Sequence, residues 1–319
     1  MKRILVYGFY DKSNHGDECF KQAFRTLWPN VHFTFVNQLR QDVVEAHDAL
    51  WFGGGSFTDQ AIRSTFPIES IDKPIAYVGI SIGGNVHKDH TLLLKRAKII
   101  IVRDQWSLRY LHGLNAHVTS DLVYAAFDGG TPTHGVKGPG DVVVCLSDHL
   151  SPQVTDPVWK YLSFERFAFE LAKVLDWYVQ QGLRVCFVPF STDSHHDDRL
   201  FAALVVSRMS HRTETVWDRS FDQVDSIKAA SIVITMRFHG AIFAHLYGVP
   251  FIPIACHSKM HMLCRDVGIE PIDYYSFTDA RYFDQLPAYS APINNTIYIE
   301  KAKKTWADTL VSVNELFAL

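Results

Sequence analysis

Ser231-Ile-Val-Ile-Thr-Met-Arg237-Phe-His239-Gly240-Ala-Ile-Phe-Ala-His245-Leu-Tyr-Gly248-Val-Pro250 is the stretch that decides the fold. Ile232 to Thr235 is a short β-branched apolar run, the pattern of a buried strand. The chain then turns through Arg237, Phe238, His239 and Gly240. Ala241 to Tyr247 follows an apolar helical pattern, stopped by Gly248 with Pro250 shortly after. Arg237 and His239 therefore stand where a strand ends and a helix begins, the place where open α/β sheets bind ligands. A helix N-terminus there adds unpaired N–H groups and partial positive charge. A guanidinium, an imidazole and that N-terminus suit an anionic ligand and a proton to be moved. Arg237 capping a neighbouring helix, with His239 a satisfied loop histidine, fits the same spacing.

The same rhythm extends in both directions. In the first part, Ile4 to Tyr7, Val31 to Val36, Ala49 to Phe52, Ile75 to Ile80 and Ile99 to Val102 read as strands. Helical patterns run from Glu18, capped by Asp17, to Trp28, from near Asp59, from Thr91 to Ala97, and from Arg103 to Gly113. In the second part, strands at Val142 to Leu146, Arg184 to Val188 and Phe251 to Ala255 alternate with helical patterns, ending in an amphipathic helix from Lys301 to Phe317. Strands alternating with helices predict α/β architecture with parallel, doubly wound sheets. Asp128 to Gly140 carries five glycines and two prolines without apolar periodicity. The expected layout is an N-terminal domain over 1–128, a linker over 129–140 and a C-terminal domain over 141–319, the last helix packing back on the N-terminal domain.

Bulk properties exclude several classes. The chain has 319 residues, is 47% hydrophobic and 20% charged, and carries a formal net charge of -3. That length accommodates two domains, each with its own core. The charge argues against nucleic acid or an anionic membrane surface as the main partner. Met1-Lys-Arg3 precedes an apolar run too short for a signal peptide. No window approaches the ~18 uninterrupted apolar residues that a membrane helix requires. Five cysteines without a CxxC pair fit reduced thiols. A cytoplasmic protein is the expectation.

Gly53-Gly54-Gly55-Ser56 follows a strand, where glycine lets backbone N–H groups approach a phosphate or sugar; a tight turn alone would also explain it. It is not G-x-x-x-x-G-K-[ST], and no G-x-G-x-x-G follows the first strand, so nucleotide-triphosphate and dinucleotide cofactors lack support. Arg103-Asp104 stands at another strand end, where the guanidinium suits a carboxylate, or an ion pair between two elements. Lys259 starts the helix after the Phe251 strand, a crevice position as well as an ordinary helix-face position. Cys256-His257-x-x-x-His261-x-x-Cys264 has zinc-like spacing, but adjacent Cys256 and His257 point apart, and no metal is expected. His195-His196-Asp197-Asp198 reads as a polar loop and helix start. No Gly-x-Ser-x-Gly elbow supports serine hydrolysis.

Four pieces together resemble the polysaccharide pyruvyl transferase family. They are Gly8-Phe-Tyr-Asp-Lys-Ser-Asn14-His-Gly16-Asp17-Glu18, Gly53-Gly-Gly-Ser-Phe-Thr-Asp59, Val102-Arg103-Asp104-x-x-Ser107, and Arg237-Phe-His239-Gly240 with Gly248-Val-Pro250 and Lys259 behind it. Phe238 stands where the family often has leucine. The resemblance implies two Rossmann-like doubly wound domains facing across a cleft, similar to GT-B glycosyltransferases. It implies transfer of the enolpyruvyl carbons of phosphoenolpyruvate onto two hydroxyls of one sugar, giving a cyclic pyruvate ketal and phosphate. Phosphoenolpyruvate, a donor substrate rather than a cofactor, carries a carboxylate and a phosphate, which suit two arginines and a lysine. On this scheme Arg103, Arg237 and Lys259 hold the donor, and His239 is the general acid toward its methylene carbon. Asn14, Asp17, Gly54, Gly55 and Ser56 contact the acceptor, a sugar or oligosaccharide, lipid-linked acceptors included. Asp17 or Asp59 offers a base for a sugar hydroxyl, with helix capping as the alternative for either. No cofactor is expected.

Three other classes compete: a GT-B glycosyltransferase whose cationic groups hold a nucleotide sugar's diphosphate, a saccharide-binding protein without turnover, and a structural interaction protein, for which only the 13% aromatic content speaks. The long polar stretch from Asp273 to Asn295 suggests no role.

Overall fold

The alternating apolar runs fold as expected into two α/β units. The structure, a computed structural model, describes residues 1–56, 58–129, 141–147, 157–193, 196–211, 223–290 and 293–319. Unit 1 comprises Met1–Asp128 with Ile297–Leu319, and unit 2 comprises Gly129–Thr296. Except for Gly129, the expected linker over 129–140 lies outside the described residues.

In unit 1, β1 (Lys2–Tyr7), β2 (Val31–Val36), β3 (Ala49–Gly53), β4 (Ile75–Ile80), β5 (Ala97–Val102) and β6 (Ala116–Val118) form a parallel sheet in the order β2-β1-β3-β4-β5-β6. The helices are α1 (His15–Leu27), α2 (Gln41–Glu45), α3 (Lys88–Arg96) and α4 (Leu122–Ala126). Side chains alternate across a strand. Ile4 and Val6 accordingly enter one core with Phe20, Phe24 and Trp51, while Leu5 and Tyr7 enter another with Phe52, Tyr77 and Leu93. A sheet buried on both faces explains why its strands read as nearly unbroken apolar runs.

Unit 2 repeats the plan. Its elements are β7 (Asp141–Cys145), α5 (Pro157–Gln180), β8 (Arg184–Phe187), a small hairpin of β9 (Thr192–Asp193) and β10 (His196–Asp197), α6 (Asp198–Arg208), α7 (Gln223–Ala229), β11 (Ala230–Thr235), α8 (Phe238–Leu246), β12 (Phe251–Ala255), α9 (Ser258–Val267), β13 (Ile272–Asp273) and α10 (Asp279–Tyr289). The main sheet is parallel in the order β13-β12-β11-β7-β8. The last helix, α11 (Thr296–Phe317), counts with unit 1 from Ile297 onward. Trp306, Val313 and Phe317 complete the core that holds Trp28 and Trp51, and Trp306 Nε1 donates to the Ser120 carbonyl at 3.0 Å.

Several local expectations change. Asn14, not Asp17, caps α1: its Oδ1 accepts from Gly16 N at 3.2 Å, so the helix starts earlier. No helix follows Asp59; the segment holds only a 3-10 turn at Ile68–Ser70. The helix expected over Arg103 to Gly113 is a 3-10 turn at Ser107–Tyr110. There Asp104 Oδ1 accepts from both the N and Oγ of Ser107, each at 2.8 Å, a local bond pattern that competes with helix propagation. The polar stretch after Asp273 contains α10, capped by Thr278 and masked in the sequence by Pro287, which reads as a helix breaker.

Candidate functional site

In each unit the motif residues gather at the carboxyl edge of the parallel sheet, the edge at which open α/β sheets present ligand crevices. In unit 1 they follow β1, β3 and β5, and with Ser81 after β4 they stand at the exits of four consecutive strands of the sheet. Gly54 and Gly55 leave β3 with φ of 76° and 84°, the left-handed region that favours glycine. A Cβ on Gly54 would also lie 2.8 Å from the Phe20 ring, so α1 packs directly on this turn. Tyr10, fully buried, donates its phenol to the Gly53 carbonyl at 2.7 Å and fixes the turn from the β1 side.

Arg103 ties these loops together. Its Nε donates to Ser81 Oγ at 2.8 Å, Nη1 to Asp121 Oδ2 at 2.9 Å and Nη2 to Ser56 Oγ at 3.3 Å. The Arg103 and Asp121 side chains are 3% and 2% exposed, so this is a buried ion pair with most of its donors engaged. Two residues expected in different roles, Arg103 with the donor and Ser56 with the acceptor, are thus hydrogen-bonded to each other. Asp121 also caps α4 through Val123 N. Asn14 is half-buried at the start of α1, and Asp17 is buried within its first turn, where the helix dipole favours a carboxylate. Asp59 is exposed.

In unit 2, Arg237, His239 and Lys259 follow the adjacent strands β11 and β12. Thr235 Oγ1 accepts from Arg237 N at 3.0 Å and donates to its carbonyl at 2.9 Å, closing the turn out of β11. Gly240 is required there, because a Cβ would lie 2.5 Å from Thr235 Oγ1. Neither Arg237, the cap residue of α8, nor His257, that of α9, bonds its helix's first turn through its side chain. Both helices start at the sheet's carboxyl edge, where first-turn N–H groups favour anions.

Arg237 is oriented by Asp198, a residue the sequence reading did not single out. Nε donates to Asp198 Oδ2 at 2.9 Å and to the Leu146 carbonyl at 3.3 Å, and Nη2 donates to Asp198 Oδ1. Asp198 Oδ2 also accepts from the N–H groups of Phe190 and Ser191, each at 2.9 Å. Burial raises the Asp198 pKa, against the pull of Arg237 and those two amides. Lys259 Nζ lies 5.9 Å from the centre of the Phe238 ring, beside the first turn of α8. Both cations act on Cys256: burial lifts its thiol to about 11, while Lys259 and Arg237 oppose the rise. The half-buried His239 sits in the same turn, its ring edge-on to Phe238 at 5.4 Å.

The unit 2 site is thus a cationic strand-end edge with an imidazole in it. Arg103 belongs to unit 1. Among the described residues, no three His, Cys, Asp or Glu side chains gather as ligands of a metal ion would. His261 is exposed while Cys264 is fully buried, so the zinc-like spacing does not bring its members together.

Comparison with known proteins agrees with this architecture. The profile of a family described as polysaccharide pyruvyl transferase matches residues 4–258. No curated protein matches the chain in sequence. Among solved structures, Anabaena HepE in complex with UDP and glucose is 12% identical, with a TM-score of 0.55 over 98% of this chain and 100% of its own. The UDP-GlcNAc 2-epimerase of Neisseria meningitidis, bound to UDP-GlcNAc, is 10% identical, with a TM-score of 0.60 over 98% of this chain and 100% of its own. MurG of Acinetobacter baumannii is 10% identical, with a TM-score of 0.51 over 100% of this chain and 99% of its own. At such identities the likeness shows the fold, GT-B with two parallel-sheet α/β units of six and five strands.

Proposed function

The chain belongs to the polysaccharide pyruvyl transferase family, and from that membership we propose that it transfers pyruvate from phosphoenolpyruvate to a sugar as a cyclic ketal. The observation that carries this reading is the convergence of Arg237, Lys259 and His239 at the starts of two helices that lack side-chain caps. A carboxylate and a phosphate are the ligand groups such an edge favours.

In the proposed reaction, Arg237 and Lys259 hold the donor, and Lys259 partly neutralises the departing phosphate. His239 protonates the methylene carbon, making it a methyl group and leaving an oxocarbenium-like centre at the adjacent carbon. One sugar hydroxyl and then a second attack that centre. Two C–O bonds to the sugar form and the C–O bond to phosphate breaks. Of the two hydroxyl protons, one replaces the proton given by His239 and the other leaves with phosphate. On the acceptor side, Asn14, Asp17, Gly54, Gly55 and Ser56 contact the sugar. Arg103, the third cation proposed for the donor, lies in unit 1, and its Nη2 bond to Ser56 gives it a path to a ligand through that hydroxyl.

The test is incubation with phosphoenolpyruvate and a panel of galactosides and N-acetylhexosaminides, monitored by mass gain and phosphate release. Release of a nucleotide from a sugar nucleotide instead would identify a glycosyltransferase. Saccharide binding without turnover of either donor would identify a binding protein. His239→Ala is expected to lower ketal formation by about 10²–10⁴-fold with an unchanged melting temperature. Near wild-type turnover by that variant would overturn the acid assignment.

A further inference from the structure

A recess at the exit of β1 in unit 1 has no role in this scheme. Tyr7, Lys12, Asn37, Gln60 and Arg63 line it. The strand order places β1 between β2 and β3, so the chain leaves to opposite sides of β1, the switch point at which doubly wound sheets open a crevice.

Lys12 and Arg63 both line the recess, and neither has an ion-pair partner among the described residues. The acids near them are occupied. Asp11 and Glu18 both pair with Lys21, at 2.6 and 2.7 Å, and Asp89 accepts from Ile62 N at 3.1 Å. Arg63 has a fixed base: its N–H donates to Tyr7 Oη at 3.1 Å and its carbonyl accepts from Leu39 N at 2.7 Å. Burial raises the Tyr7 phenol pKa, the Arg63 N–H and then the Arg63 charge work against it, and the Asp89 charge adds to the rise. Lys12 stands between Asp11 and Ser13, whose φ values of 56° and 51° put two non-glycine residues in the left-handed region. Such backbone conformations persist where the surroundings enforce them, and they concentrate at ligand clamps. Here Asn37 Nδ2 donates to the Tyr10 carbonyl at 2.8 Å, and Asp11 N donates to Glu18 Oε1 at 2.8 Å.

We propose that this recess binds an anionic group of the saccharide acceptor, a glycosyl phosphate or a uronate carboxylate, through Lys12 and Arg63. Asn37 Oδ1 and the Gln60 amide then meet sugar hydroxyls. The inference rests on the reading of unit 1 as the acceptor side, and it narrows the acceptor to charged saccharides.

Titration calorimetry on the full chain with glucose 1-phosphate, glucuronate and glucose, without phosphoenolpyruvate, tests it. A charged probe is expected to bind at least about tenfold tighter than glucose, an advantage that shrinks with added salt. Stronger binding of glucose 1-phosphate than of glucuronate identifies phosphate as the source of the charge, and the reverse identifies the carboxylate. The double variant Lys12→Gln/Arg63→Gln is expected to lose the advantage, and Lys12→Arg/Arg63→Lys to keep it. Equal affinity for all three probes, or a charge advantage that survives in the glutamine variant, overturns the proposal. Because no pyruvyl donor is present, failure of pyruvyl transfer would leave this result standing.

Discussion

The guanidinium of Arg237 is held by both oxygens of Asp198, with Nε donating to Oδ2 at 2.9 Å and Nη2 to Oδ1. The carboxylate comes from the start of α6 and the arginine from the exit of β11, so a contact 39 residues apart in sequence sets the direction of a cation in the proposed donor site. The same carboxylate gathers the N–H groups of Phe190 and Ser191 beyond β8. One buried acid at the start of α6 therefore joins two exits of the unit 2 sheet, those of β8 and β11.

Asp198→Asn keeps the shape and removes the charge. We expect the KM for phosphoenolpyruvate to rise by about tenfold, with the acceptor KM unchanged, because Arg237 loses its bidentate restraint. Asp198→Ala leaves Arg237 without its buried partner and is expected to lower stability by about 3 kcal/mol. Steady-state kinetics with each substrate varied, alongside urea unfolding, separates the two effects. An equal rise in both KM values would contradict a role confined to Arg237.

Gly240→Ala is expected to destabilise unit 2 by about 1–3 kcal/mol. The added methyl would lie 2.5 Å from Thr235 Oγ1, the atom that closes the turn carrying Arg237. The melting temperature measures the cost. Thr235→Ala/Gly240→Ala should recover part of the steric cost but not the turn bond, so the double variant stays below wild type.

Trp306→Ala is expected to cost about 3–5 kcal/mol, as large-to-small core substitutions do. Trp306 is fully buried in the unit 1 core although it lies at the far end of the chain. Hydrogen exchange should show lost protection in the β1 and β3 amides while those of β11 and β12 keep theirs. Uniform loss in both units would contradict the assignment of α11 to unit 1.

Acid should weaken the fold through His90 and His245. Burial pushes the pKa of each down to about 4, against an unfolded value of about 6.5. Between those values the unfolded chain binds more protons than the folded one, so stability is complete above pH 6.5 and falls as the pH drops toward 4. Each histidine contributes a loss of about 2 kcal/mol by pH 5. Urea midpoints at pH 7.5 and 5 measure it, and His90→Gln, which keeps a polar partner for Tyr77, should show a smaller drop between the two.

Much of this was legible before any coordinates. Apolar runs such as Ile75–Ile80 announce buried parallel strands because both faces of the sheet are covered, and Gly248 with Pro250 marks the end of α8 because a left-handed glycine suits a helix terminus. The positions of Arg237, His239 and Lys259 at strand ends follow from the same reading. Asp198 did not stand out, since within His195-His196-Asp197-Asp198 it resembles any polar helix start, and only its burial beside Arg237 distinguishes it. The cap of α1 is ambiguous for a related reason: Asn14 and Asp17 are both good caps, local sequence does not choose between them, and the fold uses Asn14.

Sequence alone determined the α/β class and the chemical types at the strand ends, because periodicity and turn chemistry are local properties that each segment carries with it, and the family came from the resemblance of four ordered motifs. Which charges are already spent and which remain is a matter of distance between segments far apart in the chain. The pairing of Arg103 with Asp121 and of Arg237 with Asp198, and the absence of such a partner at Lys12 and Arg63 among the described residues, were therefore decided only when the sheets assembled.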